Sequence, residues 1–121
     1  MTTFDVGAPL EGGWVLKGTD GEGNAIRLVF GETELTRAYL GLTVGRHPAL
    51  CDRVVADASV SRRHLRFGMV EGALHLEDLN SLNGTLLDDR EIPRFQPVPV
   101  SPGQRIVLGR ATLAVSRLTD G

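Results

Sequence analysis

The apolar residues of this chain fall into short runs of alternating character, separated by glycine, proline and small polar residues. Trp14 to Lys17 reads as a first strand and Ala25 to Phe30 as a second. The segment between them, Gly18-Thr19-Asp20-Gly21-Glu22-Gly23-Asn24, is dense in turn formers, so the pair predicts a hairpin. Glu32 to Tyr39 fits a helical turn or a connecting strand equally well. From Gly41 onward short strands recur, at Leu42 to Gly45, at Arg53 to Val55 and at Leu65 to Met69. In the last of these Leu65, Phe67 and Met69 share one face and Arg66 lies on the other, a period of two. Leu74 and Leu76 alternate with His75 and Glu77 in the same way. Thr85 to Leu87, Arg105 to Leu108 and Ala111 to Arg117 complete the set, with Leu113 and Val115 on a common face. Pro93, Pro97, Pro99 and Pro102 punctuate a long loop before the last hairpin, where a fixed φ lowers the entropy lost on ordering. No amphipathic pattern of helical length interrupts the series. About ten to eleven short strands at this spacing predict an all-β fold, an antiparallel β-sandwich. It would occupy residues 13–118 behind a flexible tail over residues 1–12.

Composition narrows the class. A chain of 121 residues with 41% hydrophobic and 5% aromatic side chains supports one core, built mainly of Leu, Val and Ala with Trp14 and four Phe as larger fillers. Cys51 is the one cysteine, which excludes an internal disulfide and reads as a small buried hydrophobe. No run of about 18 apolar residues is present to span a membrane. Met1-Thr2-Thr3-Phe4-Asp5 lacks the basic start and apolar centre of a signal peptide. Met1 points to a native amino terminus, and a cytoplasmic protein is the expectation. The net charge of −2 argues against general nucleic-acid binding, but it is unevenly spread. Residues 41–66 hold five arginines against Asp52 and Asp57, whereas residues 1–40 hold three basic and six acidic side chains. A local positive field in an acidic protein suits a small anionic target.

The arginines sit among hydroxyls and an Asn-Gly pair. Gly45-Arg46 ends an apolar run, Ser61-Arg62-Arg63-His64 follows, and then Asn80-Ser81-Leu82-Asn83-Gly84-Thr85. Arg46 offers a planar fork that matches phosphate oxygens, and Ser61 offers a hydroxyl donor beside an arginine pair. Gly-Arg alone is a weak signal, since Gly109-Arg110 repeats it in a predicted turn. Asn83-Gly84 reads as a tight hairpin turn, because both residues tolerate positive φ. Hydrolysis has little support: Ser61, His64 and Asp78 contain the residue types of a triad, yet there is no Gly-x-Ser-x-Gly elbow. His47, Cys51, His64 and His75 lack metal-ligand spacing, and no phosphate loop of the nucleotide-hydrolase type is present, so no cofactor is expected. Arg53, Arg62, Arg63 and Arg66 could meet a nucleic acid, but no aromatic residues interleave them to stack on bases.

The order Gly-Arg, Ser-x-x-His, Asn-Gly-Thr resembles the forkhead-associated (FHA) domain, a module that binds phosphothreonine peptides. The resemblance runs from about Gly41 to Leu118. It implies two packed sheets with ligand loops at one end, and a non-catalytic adaptor for protein–protein interaction. It assigns Arg46, Ser61 and Arg62 to the phosphate and Asn83 to the peptide backbone, with Leu82 beside them. Gly45, His64, Ser81, Gly84 and Thr85 then support the site, and Arg63 lies on a solvated face. Leu82 is a departure, because many relatives carry there a hydroxyl that donates to the phosphate. Ser59 falls where selectivity for neighbouring peptide residues is set, with Arg53 or His47 as alternatives for favouring acidic peptides. The implied partner is a phosphothreonine protein, a Ser/Thr kinase or its substrate, and neither a nucleic acid nor a membrane. The alternatives are a degenerate FHA domain that binds an unphosphorylated protein partner, or a weak nucleic-acid-binding module. Thr2 and Thr3, with Asp5 three residues after Thr2, suggest self-association through a phosphorylated tail.

Overall fold

A computed structural model of the chain describes residues 12–118. The expected tail, with Thr2, Thr3 and Asp5, lies outside the described residues apart from Gly12, whose carbonyl accepts Glu32 N at 3.0 Å. Eleven strands and one short helix follow in order. They are β1 (Gly13–Thr19), β2 (Ala25–Gly31), α1 (Glu32–Arg37), β3 (Leu42–Gly45), β4 (Arg53–Val54) and β5 (Leu65–Val70). Then come β6 (Ala73–Asp78), β7 (Thr85–Leu87), β8 (Arg90–Glu91), β9 (Val98–Pro99), β10 (Arg105–Leu108) and β11 (Ala111–Leu118). One sheet has the order β9-β6-β5-β3-β4 and the other β2-β1-β11-β10-β7-β8. Pairing is antiparallel except between β3 and β4, where Val44 faces Arg53 and Gly45 faces Val54 in parallel. The sandwich is therefore mixed at that edge.

Alternation explains both inner faces. Leu16, Leu28, Phe30, Leu113 and Val115 from one sheet meet Leu65, Phe67, Leu74 and Leu76 from the other. Phe30 and Phe67 touch across the core with ring centroids 5.0 Å apart. Each such large side chain contributes about 1.5–3 kcal/mol by leaving water. Met69 packs against this core only in part. The ambiguous segment after β2 is helical: Leu35 turns inward at 1% exposure and Glu34 reaches back to Gly31 N at 3.4 Å. The proline-rich loop contains two strands that its composition hides, β8 and β9. Pro99 is tolerated because β9 is an outer strand and needs no donor on its open side.

The turns correct one expectation. Two-residue turns with both residues at positive φ are Glu71-Gly72 (φ 52° and 79°) and Asp88-Asp89 (φ 49° and 69°). Asn83-Gly84 is not a hairpin turn. It belongs to the connection that carries the chain from β6 in one sheet to β7 in the other, with positive φ at Asn80 (67°) and Gly84 (79°) and not at Asn83. Among the described residues no helix is long and apolar enough to cross a membrane.

Candidate functional site

Three loops converge at one end of the sandwich: residues 46–52 after β3, residues 55–64 before β5 and residues 79–84 between β6 and β7. The first two lie side by side, with Arg46 N donating to Ser61 O (3.0 Å) and His47 N to Arg62 O (3.2 Å). Their approach is so close that a Cβ on Gly45 would overlap the Arg62 carbonyl. Cys51 is only half-buried rather than a core hydrophobe, and its thiol donates to Arg62 O at 2.9 Å. Burial pushes that thiol up, so it stays protonated.

His64 joins the second loop to the third. It is completely buried; Ser61 N donates to its Nδ1 (3.0 Å), which leaves the proton on Nε2, and Nε2 donates to Gly84 O (2.9 Å). With both ring nitrogens held by backbone, His64 cannot act as a base toward the Ser61 hydroxyl, and no triad forms. Burial holds the ring below its ordinary value of 6.5. The unfolded chain therefore binds more protons than the folded one just below that pH. Stability attributable to His64 is full above 6.5 and falls as pH drops toward the lower folded value. Urea titrations at about pH 7.5 and 5.5 are expected to show a loss at the lower pH, and His64→Gln should flatten that slope; an equal slope in the variant would overturn this.

Two buried carboxylates organise the loops, Asp57 and Asp78; the sequence shows Asp78 only as a residue type of a triad and Asp57 only as a charge. Asp57 accepts Gly21 N (2.6 Å), Ser59 N (2.8 Å) and Ser59 Oγ (2.6 Å). The Ser59 hydroxyl and amide and the Gly21 amide hold the Asp57 carboxyl down at about 2. Asp78, 0% exposed, accepts Ser81 N (2.9 Å), Ser81 Oγ (2.6 Å) and Thr85 Oγ1 (2.6 Å). Burial pushes Asp78 up, but the Ser81 and Thr85 bonds outweigh it, so its carboxyl stays below the usual range. Arg94 Nη2 adds a bond to Ser81 O at 2.9 Å. The available signals were Asp57-x-Ser59 and Asp78-x-x-Ser81, spacings at which an aspartate bonds its own following turn.

Ser59 differs from its expected part. Its hydroxyl donates to Asp57 and accepts Arg110 N (2.7 Å), so the hydroxyl is engaged within the protein. Gly109, at φ 60°, lies against Ser59 with no room for a Cβ, so the Gly109-Arg110 turn is a floor beneath the site loop. Arg53 and His47, the alternatives for selectivity, are not among the residues lining the groove. Arg53 donates to Val29 O (3.0 and 2.8 Å), pairs with Glu34 and covers the Phe30 ring at 5.0 Å. His47 Nδ1 accepts Ala49 N at 3.2 Å.

What remains faces a shallow groove lined by Arg46, Ser61, Arg62, Arg63, Leu82 and Asn83 among others, with no carboxylate in its lining. Arg46 Nε is anchored on Val60 O (3.0 Å), while its two terminal amino groups take no partner among the described residues. Ser61 Oγ accepts Leu82 N (2.9 Å), which occupies a lone pair and leaves the hydroxyl proton free to donate. Asn83 Nδ2 donates to Ser59 O (2.8 Å), which fixes the amide and leaves Oδ1 open. Leu82 is 85% exposed at the rim. Arg62 and Arg63 are exposed. Such an arrangement can hold an anion with fixed donors and can present an amide to an extended backbone. It contains no nucleophile–base pair, and among the described residues no cluster of three metal-ligating side chains.

Comparison with known proteins agrees with this architecture. The oxoglutarate dehydrogenase inhibitor of Corynebacterium diphtheriae is 41% identical over 71 residues, 59% of this chain and 47% of that protein. The FHA domain-containing protein FhaB of Mycobacterium tuberculosis is 35% identical over 85 residues, 65% of this chain and 54% of that protein. The chain thus spans about half the length of the curated relatives it matches. Among solved structures, the FhaA FHA domain in complex with the intracellular domain of Rv3910 superposes with a TM-score of 0.61 at 28% identity, covering 84% of this chain and 98% of that one. The FHA domain of the CT664 protein from Chlamydia trachomatis has the same fold, with a TM-score of 0.68 at 24% identity over 86% of this chain and 96% of its own. The FHA domain model matches residues 42–109, more than half of the chain and all three converging loops, and the chain belongs to the FHA domain family of protein-interaction modules.

Proposed function

We propose that the groove binds phosphothreonine peptides of a partner protein, reversibly and without turnover. The observation that carries this reading is a set of donors held in place by the protein and left unfilled. Arg46 is anchored through Nε with its terminal nitrogens open, and Ser61 has its lone pair taken by Leu82 N. A phosphothreonine brings about −1.5 to −2 charges and three acceptor oxygens to such donors. Arg46 supplies the fork, Ser61 a neutral donor and Arg62 a second cation. Asn83 clamps the peptide backbone, and Leu82 offers apolar contact in place of a hydroxyl. Gly45, His64, Ser81, Gly84 and Thr85 hold these groups in position. Residues 13–118 act as the binding unit, in the cytoplasm, where threonine kinases have their ATP. Likeness to an FHA domain solved with a partner's intracellular domain supports a signalling protein, a kinase or its substrate, as the class of partner.

Titrating the chain with an oriented phosphothreonine peptide library, and with the same library unphosphorylated, tests the reading. Binding that ignores phosphorylation would overturn it in favour of an unmodified protein partner. Matched peptides carry a second expectation. Ala58 lines the groove and gives exposed apolar surface to the threonine methyl. One buried methyl is worth about 1 kcal/mol, so phosphothreonine should bind about fivefold tighter than phosphoserine. Aspartate, with one charge and a planar head, should bind far more weakly than either. Equal binding of all three would mean a generic anion patch.

A further inference from the structure

We propose that Arg63 reads a second negative charge on the same peptide, a carboxylate or a second phosphate within a few residues of the phosphothreonine. The inference rests on the phosphothreonine reading above. It begins from where the cations of this protein find partners. Arg53, Arg66, Arg94, Arg105, Arg110 and Arg117 all stand within 4.0 Å of a carboxylate oxygen. Among the described residues Lys17, Arg27, Arg37, Arg46, Arg62, Arg63 and Arg90 have no such partner, and of these Arg46, Arg62 and Arg63 line one groove. The two acidic side chains of their own segment are turned elsewhere. Asp52 accepts Thr43 N at 2.8 Å and Thr43 Oγ1 at 3.1 Å, and Asp57 is closed within the Ser59 and Gly21 bonds.

A doubly charged phosphate is matched by Arg46 and Arg62. Arg63 then remains at the same mouth as an uncompensated cation. Its backbone is fixed at the mouth, because the preceding carbonyl, Arg62 O, is held by His47 N (3.2 Å) and by the Cys51 thiol (2.9 Å). Arg53 is held on Val29 O and Glu34, and neither Arg53 nor His47 is among the residues lining the groove. A nucleic-acid strand would also bring a second phosphate. The groove lining includes no aromatic side chain for a base to stack on, and its exposed apolar residues are Ala58 and Leu82, so a peptide is the better fit.

The test uses the whole 121-residue chain and fluorescent phosphothreonine peptides. One peptide has neutral flanks, and a series moves a single Asp through the three positions on either side. A second series replaces that Asp with phosphoserine, so carboxylate and phosphate are read separately. Oligothymidine serves as the nucleic-acid arm. At least one position should gain about fivefold at ~50 mM salt, and the gain should shrink below about twofold at ~500 mM, since exposed pairs are screened. Arg63→Gln should abolish the gain while leaving the neutral-flank peptide within about twofold. A gain that persists in Arg63→Gln overturns the proposal, and so does the absence of gain at every position. In both cases binding of the neutral-flank phosphopeptide keeps the phosphothreonine reading intact. Failure of every phosphopeptide to bind overturns both readings. Oligothymidine binding tighter than any peptide, and lost in Arg63→Gln, assigns Arg63 to nucleic acid instead.

Discussion

Arg46→Ala is expected to weaken phosphothreonine-peptide binding by about 30- to 1000-fold, a loss of about 2–4 kcal/mol. The magnitude follows from what the side chain does in the free protein. Its Nε holds Val60 O at 3.0 Å, so the guanidinium is oriented before the ligand arrives and little rotamer entropy is lost on binding. No carboxylate lines the groove to compete for the terminal nitrogens. Removing the fork leaves a desolvated phosphate with one partner fewer, and this dominates the cost. Stability should move little. The substitution deletes one hydrogen bond, worth about 0.5–1.5 kcal/mol, and relieves repulsion from Arg62 and Arg63. The backbone bond from Arg46 N to Ser61 O remains. Calorimetry with a binding peptide, beside thermal melts without ligand, separates the two effects. Unchanged affinity would remove Arg46 from the site, and a large fall in melting temperature would make it a structural residue.

The largest loss of stability from a single substitution near the site is expected at Asp78. It is completely buried and accepts three hydrogen bonds, from Ser81 N, Ser81 Oγ and Thr85 Oγ1. Alanine leaves all three donors without an acceptor in a region closed to water, and each buried orphan costs about 1–3 kcal/mol before relaxation. Both hydroxyls can rotate toward other acceptors, so the net loss is about 3–5 kcal/mol rather than the full sum. Asp78→Asn keeps one oxygen for Ser81 N and lets the hydroxyls turn to accept, so it should cost roughly half as much. Urea denaturation of the two variants measures this. A loss below about 1 kcal/mol in Asp78→Ala would mean that the loop finds other partners. Ligand affinity should fall in the same variant, because Ser81 precedes Leu82 and Asn83, whose positions set the Ser61 hydroxyl and the amide clamp.

Most strands could be read from sequence because each has one wet and one dry face. Leu42–Gly45, Thr85–Leu87 and Arg105–Leu108 were placed at their observed limits. Strands of two residues, β8 and β9, have no room to show a period. The parallel pairing of β3 with β4 is set by tertiary contact and leaves no local trace. At the site the order of motifs fixed which loops meet, and the family match covers all three. The side chains that steady those loops were less legible. Asp57 in its loop and Asp78 at a strand end look like ordinary aspartates until the chain folds and buries them. Asn83-Gly84 carries the strongest short-range hairpin signal in the chain, yet the Asp78 bonds and the Asn83 contact to Ser59 O route it between sheets. Ser59 shows the converse: it lines the groove, but its hydroxyl belongs to Asp57 and Arg110 N.

The Arg53 side chain has a consequence for how molecules of this protein behave beside one another. Strand β2 is seven residues long and forms the outer edge of its sheet, the kind of border on which a second chain can add a strand and begin to polymerise. Two guanidinium nitrogens of Arg53 sit on the Val29 carbonyl in the middle of that border, and Glu34 holds the guanidinium there at 2.6 Å. A charge fixed at the centre of an open edge opposes the docking of a second strand there, so Arg53 guards that border of the sheet while Arg46, Arg62 and Arg63 of the same segment line the groove.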